Sequence, residues 1–227
     1  EGICLTDTFQ LSESSKQEQL YAKELAQNSE RVIAQQKAPI QIIIGNPPYS
    51  KCQKSANDNA QNQKYPHLDS RIASTYAFAS SSTNKNALYD SYIKAFRWAS
   101  DRLDPQNGGI IAFVSNGAWI DNNACSGLRK CLEDEFSTLY VFNLRGNCRT
   151  SGTLRKEEGG NVFGLGSRTP IALTLLVKKP STEQQKAKIY YYEIGSFLTK
   201  EQKLAELKRL GSVLNKRLQL SSITPSK

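Results

Sequence analysis

The 227-residue sequence lacks several features that mark common classes of protein. It contains no methionine, not even at position 1, and we therefore expect it to be a piece of a longer polypeptide. No apolar run approaches the ~20 residues that a membrane-spanning helix needs. No signal-peptide pattern opens the chain. We therefore expect a soluble, intracellular protein without a membrane partner.

The chain is also poor in metal ligands and in paired cysteines. Its five cysteines form no CxxC pair, and His67 is the only histidine. These counts favour free thiols in a reducing compartment and predict no metal site. The net charge of +9 favours a polyanionic partner such as nucleic acid, but a basic balance alone also fits many soluble proteins.

Apolar strands alternate with amphipathic helices along the central part of the chain. Strands are predicted at 40–45, 110–115 and 138–146, with a helix at 88–103 and a loop followed by a helix over 117–136 between them. This order predicts an α/β fold with a parallel, doubly wound sheet.

The remaining segments are less regular. Residues 170–179 and 188–194 read as strands without an intervening helix, which predicts an antiparallel end to the sheet. The charged and Gln-rich residues 13–36 predict an exposed helix, and a charged helix is predicted near 199–210. Residues 50–87 form a polar insertion, and an insertion of this length in a compact domain is usually functional or mobile.

The stretch QIIIGNPPYS, residues 41–50, joins a strand to a stiff polar loop. The run of isoleucines predicts a strand that is covered on both faces, and the prolines end it because they cannot donate to a sheet ladder. In open α/β sheets, ligands bind beyond the carboxyl ends of the strands. Asn46, Pro47, Pro48 and Tyr49 are therefore candidate site residues.

This tetrad in its context resembles the catalytic half of an adenine-specific DNA methyltransferase. The segments NPPYSKCQKSANDNAQNQKYPHLDSRI and TNKNALYDSYIKAFRWASDRL resemble the methyltransferase domain of type ISP restriction-modification enzymes, and the resemblance covers roughly residues 2–200. It implies a bacterial, cytoplasmic protein with a class I, Rossmann-like S-adenosylmethionine-dependent methyltransferase fold. The sheet of that fold is mostly parallel, with an antiparallel strand at the end.

The resemblance also implies roles for individual residues. The Asn46 side chain and the Pro47 carbonyl would accept hydrogen bonds from the exocyclic amine of adenine, and Pro48 would stiffen the loop. Tyr49 and Phe163 would stack on the two faces of a flipped base, although Phe163 also reads as a core residue at the start of a strand. Asp7 would lie near the adenine ring of S-adenosylmethionine, with a helix N-cap as the competing interpretation.

The family pattern divides the chain into two parts. Residues 1–198 would be the target-base part of the catalytic domain without its upstream cofactor motif, and residues 199–227 a helical linker towards a missing target-recognition domain. The implied partners are double-stranded DNA with a flipped adenine and the nuclease, helicase and target-recognition parts of the same polypeptide. The fragment alone is expected to be inactive. Two other functions stay open: a non-catalytic nucleic-acid-binding module of the same fold, and a methyltransferase acting on a protein glutamine.

Overall fold

The computed structural model describes residues 6–10, 13, 26–48, 64–163, 167–180, 186–215 and 221–222. The strands are β1 Ile42–Gly45, β2 Gly109–Asn116, β3 Thr138–Asn143, β4 Ile171–Lys178, β5 Lys188–Glu193 and β6 Ser221–Ser222. The helices are α1 Ala26–Lys37, α2 Pro66–Ile72, α3 Ser91–Arg102, α4 Ser126–Glu135, α5 Gly152–Glu158 and α6 Lys200–Leu210. None of the helices in this part of the chain is long and apolar enough to cross a membrane.

The strands form one mixed sheet in the order β1-β2-β4-β3-β5-β6. The α/β class expected from the sequence is confirmed, because helices pack on a sheet that contains parallel and antiparallel pairs. One antiparallel strand lies inside the sheet, because β4 inserts between β2 and β3 and runs against both, and β6 pairs antiparallel to β5 at the end of the sheet. Among the strands of the described residues, only β1 with β2 and β3 with β5 pair in parallel, which is fewer parallel pairs than the mostly parallel sheet expected from the sequence. The internal place suits β4, since its side chains are buried or half-buried along its whole length.

One face of the sheet carries the main core. Alternate residues of the strands, among them Ile111, Phe113 and Val141, pack against α3 and α4. The predicted apolar face of residues 88–103 is confirmed, because its members are buried except for the half-buried Tyr89. Phe96 makes edge contacts to Phe113 and Trp119, with ring centroids 5.3 and 5.5 Å apart.

A buried arginine joins α3 to α4. Arg97 is 2% exposed and donates to both carboxylate oxygens of Glu135, at 2.7 and 2.8 Å. It also contacts Asp101 at 2.7 Å, and Asp101 in turn accepts from Arg71 of α2. The three helices are therefore held together by ion pairs as well as by apolar packing.

The second half of the polar insertion is helical. Tyr65, Leu68, Ile72 and Tyr76 are all buried, and their spacing of three or four residues places them on one helical face. The helix continues into a π-helical turn at Ala73–Ala77. This apolar period is visible in the sequence, but the surrounding Ser, Asn and Lys residues obscured it.

The strand β1 is covered on one face only within the described residues. Ile43 packs against the main core, whereas Ile42 and Ile44 are 64% and 79% exposed. The expectation of cover on both faces is therefore wrong for this part of the chain. The physical reason is that β1 is the edge strand, and the described helices that pack near it lie on the opposite face.

Candidate active site at the carboxyl edge of the sheet

The polar loop begins immediately after β1. Asn46 and Pro48 are exposed, Pro47 is buried, and Tyr49 lies outside the described residues. Gly45 lies opposite Phe113 of β2, and a Cβ atom at Gly45 would come within 3.1 Å of the Phe113 ring. The glycine therefore lets the end of β1 pack closely on the core, and Asn46 follows it at the solvent-facing rim of the sheet.

The turn that carries Phe163 lies at the same edge. Because β4 runs antiparallel to β2, its first residue, Ile171, lies opposite the last residue of β2, Asn116. The Gly117 N–H donates to the Pro170 carbonyl at 2.8 Å, which ties the segment before β4 to the end of β2. Phe163 is 46% exposed. This exposure argues against the interpretation of Phe163 as a core residue.

The Asp7 carboxylate is exposed and oriented by two hydrogen bonds. One oxygen accepts from the Tyr65 hydroxyl at 2.7 Å, and the other accepts from the Phe9 N–H at 3.0 Å. The second bond, to a residue two positions on, is a local side-chain cap of the kind that Asp makes in turns and at helix starts. Burial, together with the bond to Asp7, raises the pKa of Tyr65 well above its usual value of 10.0. Tyr65 therefore stays protonated and donates to Asp7.

The helical part of the insertion supports this segment. Glu13 accepts from the backbone N–H groups of His67 and Leu68 at 2.8 and 2.9 Å. It thereby satisfies two amides that the first turn of α2 leaves without helical partners. Phe9 also packs edge-on against Tyr65, with ring centroids 5.3 Å apart. The roles of Tyr65 and Glu13 were missed from sequence, because each partner lies more than fifty residues away and leaves no local spacing pattern.

The three arginines in the segment that follows β3 differ in their hydrogen bonds and in their exposure. Arg145 donates to Glu193 at 2.7 Å and to Ser196 at 3.1 Å. Arg155 donates to the Gly159 carbonyl at 2.8 Å, whereas Arg149 is exposed. Two of these three arginines are thus engaged in holding the loop.

Within the described ranges, His, Cys, Asp and Glu side chains form no group of three that could hold a metal ion. A cavity of about 730 Å³ lies beside α4, over β3 and β5, and its lining includes Trp119, Arg129 and Tyr191. Its lining does not include Asn46, Phe163 or Asp7, so it is separate from the candidate active site.

Comparison with known proteins identifies the family of the chain. Residues 4–147 match the family model described as Eco57I restriction-modification methylase. No curated protein matches the chain.

Three solved structures are similar over most or all of the chain. One is a nuclease-deletion mutant of the type ISP restriction-modification enzyme LlaGI in complex with a DNA substrate mimic. It is 45% identical to this chain with a TM-score of 0.90, and the match covers 100% of this chain and 18% of the LlaGI chain. The second is the ATP-dependent type ISP restriction-modification enzyme LlaBIII bound to DNA. It is 38% identical to this chain with a TM-score of 0.88, and the match covers 100% of this chain and 14% of the LlaBIII chain. A DrdV–DNA complex is 39% identical, with a TM-score of 0.80, over 91% of this chain and 19% of that one.

The chain therefore spans less than one fifth of each of these longer proteins. The family match covers more than half of the chain and includes the Asn46–Tyr49 tetrad. The chain belongs to the Eco57I restriction-modification methylase family.

Proposed function

We propose that this domain transfers a methyl group from S-adenosylmethionine to the exocyclic amine of adenine in double-stranded DNA. It would do so as one part of a longer restriction-modification polypeptide. The observation that carries the proposal is the position of Asn46, which is exposed directly after β1 at the sheet edge that also holds the Phe163 turn.

The chemistry of the amine explains why this edge needs acceptors. The lone pair of an exocyclic adenine nitrogen is delocalised into the ring, so the amine is a poor nucleophile. A side-chain amide oxygen at Asn46 and the backbone carbonyl of Pro47 can accept both amine N–H bonds and favour a pyramidal nitrogen. Proline can fill this role because it lacks only the backbone N–H donor and keeps its carbonyl acceptor.

The target adenine has to leave the duplex to reach these acceptors. Flipping a base costs a few kcal/mol, and stacking on an aromatic ring recovers roughly 1–3 kcal/mol per base. Tyr49 and Phe163 are the proposed stacking partners. The exposed ring of Phe163 supports this role, since a buried ring could not contact a base.

Among the described residues, the Asp7 carboxylate is suited to one contact with the cofactor. Each Asp7 oxygen accepts one hydrogen bond within the protein, and a carboxylate oxygen has capacity for a further donor. The carboxylate is also exposed, so it can accept from a donor group on the adenosine part of the cofactor. When bound, S-adenosylmethionine supplies the electrophilic methyl group, and Asp7 would orient its adenine ring.

Methylation mapping in cells tests the proposal. The full-length protein is expressed in a bacterium without its own adenine methyltransferases, and modified bases in plasmid DNA are mapped by sequencing. We expect N6-methyladenine within one recognition sequence, and a loss of ~10²–10³ in transfer rate for Asn46→Ala. Unmodified adenine, or normal transfer by Asn46→Ala, would contradict the proposal. A glutamine-containing peptide serves as the competing acceptor, and methylation of the peptide alone would favour a protein substrate.

A further inference from the structure

The side chain of Asn161 joins three segments of the chain next to Phe163. Its Nδ2 donates to the Gly146 carbonyl at 3.0 Å and to the Thr169 carbonyl at 2.8 Å. Its Oδ1 accepts from the Phe163 N–H at 3.0 Å. A side-chain amide has two N–H donors and one carbonyl acceptor, so each polar group of Asn161 has a partner. Asn161 is only 6% exposed.

The backbone before Phe163 is held from several sides. Val162 packs into an apolar cluster formed by Leu144, Ile171 and Ile194, which lies on the face of the sheet opposite the main core. The Gly160 N–H donates to the Leu198 carbonyl at 2.9 Å. These contacts leave the turn little freedom to change its path.

The packing around Asn161 is close enough to restrict its neighbours. Gly146 has a φ of +88°, and a Cβ atom there would lie 3.1 Å from the Asn161 Cα. A Cβ atom at Gly160 would lie 2.6 Å from the Lys200 nitrogen. Glycine at both positions therefore allows the loop after β3 and the start of α6 to close around the turn.

The ring of Phe163 contrasts with this buried support. Three consecutive residues serve three purposes: Asn161 makes buried hydrogen bonds, Val162 packs in the apolar cluster, and Phe163 is 46% exposed. An aromatic ring on a backbone that is already ordered can stack on a base with little further loss of conformational entropy. A preorganised platform of this kind is what the binding of an extruded base requires.

We propose that Asn161 is a positioning residue that presents the Phe163 ring to the extruded adenine. It contacts the Phe163 backbone directly and acts on the base only through the ring. This inference rests on the proposed function, because it needs Phe163 to stack on a target base.

A double-mutant cycle in the full-length protein tests this role. Asn161→Ala and Phe163→Ala are made singly and together, and each variant is titrated with a duplex that carries 2-aminopurine at the mapped target adenine. Phe163→Ala should weaken binding by about tenfold, the order of magnitude of one base–aromatic stack. Asn161→Ala should weaken it by about three- to tenfold, yet by less than about twofold when Phe163 is already Ala. The 2-aminopurine emission of the complex should also rise, more for Phe163→Ala than for Asn161→Ala, since stacking on an aromatic ring quenches the emission.

The matched control is Asn122→Ala. Asn122 also caps a short turn through its side-chain oxygen, which accepts from the Ala124 N–H at 3.0 Å, and Asn122 lies outside the proposed site. We expect its affinity for the duplex to stay within about twofold of the unaltered protein. If Asn161→Ala fails to fold, Asn161→Ser retains a side-chain oxygen and is judged by the same cycle.

The outcomes separate the two proposals. Equal losses from Asn161→Ala in both backgrounds, or no loss in either, would overturn the positioning role. Absence of adenine methylation by the unaltered protein would instead refute the proposed function. Methylation by the unaltered protein together with an additive cycle would leave the function standing and remove only this inference.

Discussion

Replacing Lys203 by Met should change how the free energy of unfolding depends on pH. The Lys203 side chain is 0% exposed on α6, and its ammonium group donates to the carbonyls of Leu144 and Glu158 at 2.8 and 2.7 Å. It therefore ties the end of β3 to the end of α5, just before the turn that carries Phe163. Burial of the charge lowers the pKa of Lys203 from 10.5 to about 8.

The sign of the effect follows from this lowered pKa. The folded protein binds the Lys203 proton less tightly than the unfolded chain, so below pH 8 the buried charge reduces stability. A ten-fold difference in proton affinity corresponds to ~1.4 kcal/mol, so the buried charge lowers the free energy of unfolding by on the order of 3 kcal/mol. The cost declines as the pH rises from about 8 towards 10.5, because the folded protein then holds the neutral amine while the unfolded chain is still protonated.

The variant Lys203→Met loses both the charge and the two hydrogen bonds. Each buried carbonyl that loses its donor costs ~1–3 kcal/mol, which near pH 7 is largely offset by removal of the charge cost. At higher pH that offset disappears. We therefore expect the stability lost on substitution to increase by about 2–3 kcal/mol between pH 7 and pH 10.

Urea unfolding of the chain at pH 7, 8, 9 and 10 measures this difference. Lys208→Met is the matched control, because Lys208 is an exposed lysine on the same helix. Its difference from the unaltered chain should not depend on pH. A Lys203→Met difference that stays constant from pH 7 to pH 10 would refute the reasoning.

Three further predictions concern the helix junction, the cofactor contact and the exposed strand. Arg97→Met should lower the free energy of unfolding by on the order of 3 kcal/mol, because it leaves the carboxylate of Glu135 without its buried partner. Thermal unfolding measures this change, and a loss of stability below about 1 kcal/mol would contradict the prediction. Tyr65→Phe removes the donor to Asp7 and should raise the KM for S-adenosylmethionine several-fold with little change in kcat, whereas an unchanged KM would place Asp7 away from the cofactor. Ile44→Lys should reduce self-association of the chain, as seen by sedimentation velocity, since Ile44 is 79% exposed on an edge strand that can pair with another chain.

The local patterns in the sequence were sufficient to predict most secondary structure and the candidate loop. Apolar and aromatic runs predicted β1 to β5, and the apolar period of residues 88–103 predicted the buried face of α3. The prolines after β1 predicted where the strand ends. These features depend on residues that are close together in the chain, so a short window contains the information.

The division at residues 198 and 199 stays a prediction, as do the stacking role of Tyr49 and the methyl-transfer roles of Asn46 and Pro47. The structure adds that α6 packs on the sheet through Leu207 and Leu210. It also leaves Asn46 exposed and buries Pro47.

Tertiary structure alone decided how distant segments meet. The insertion of β4 between β2 and β3 depends on pairing across long stretches of chain, and the sequence of β4 does not state which neighbours it has. Glu13 reaches α2 across 54 residues, and Tyr65 reaches Asp7 across 58. Asn161 bridges two loops and the backbone of Phe163. Such contacts leave no periodic pattern in a short window, because a hydrogen bond between distant segments requires only that the fold bring a donor and an acceptor together.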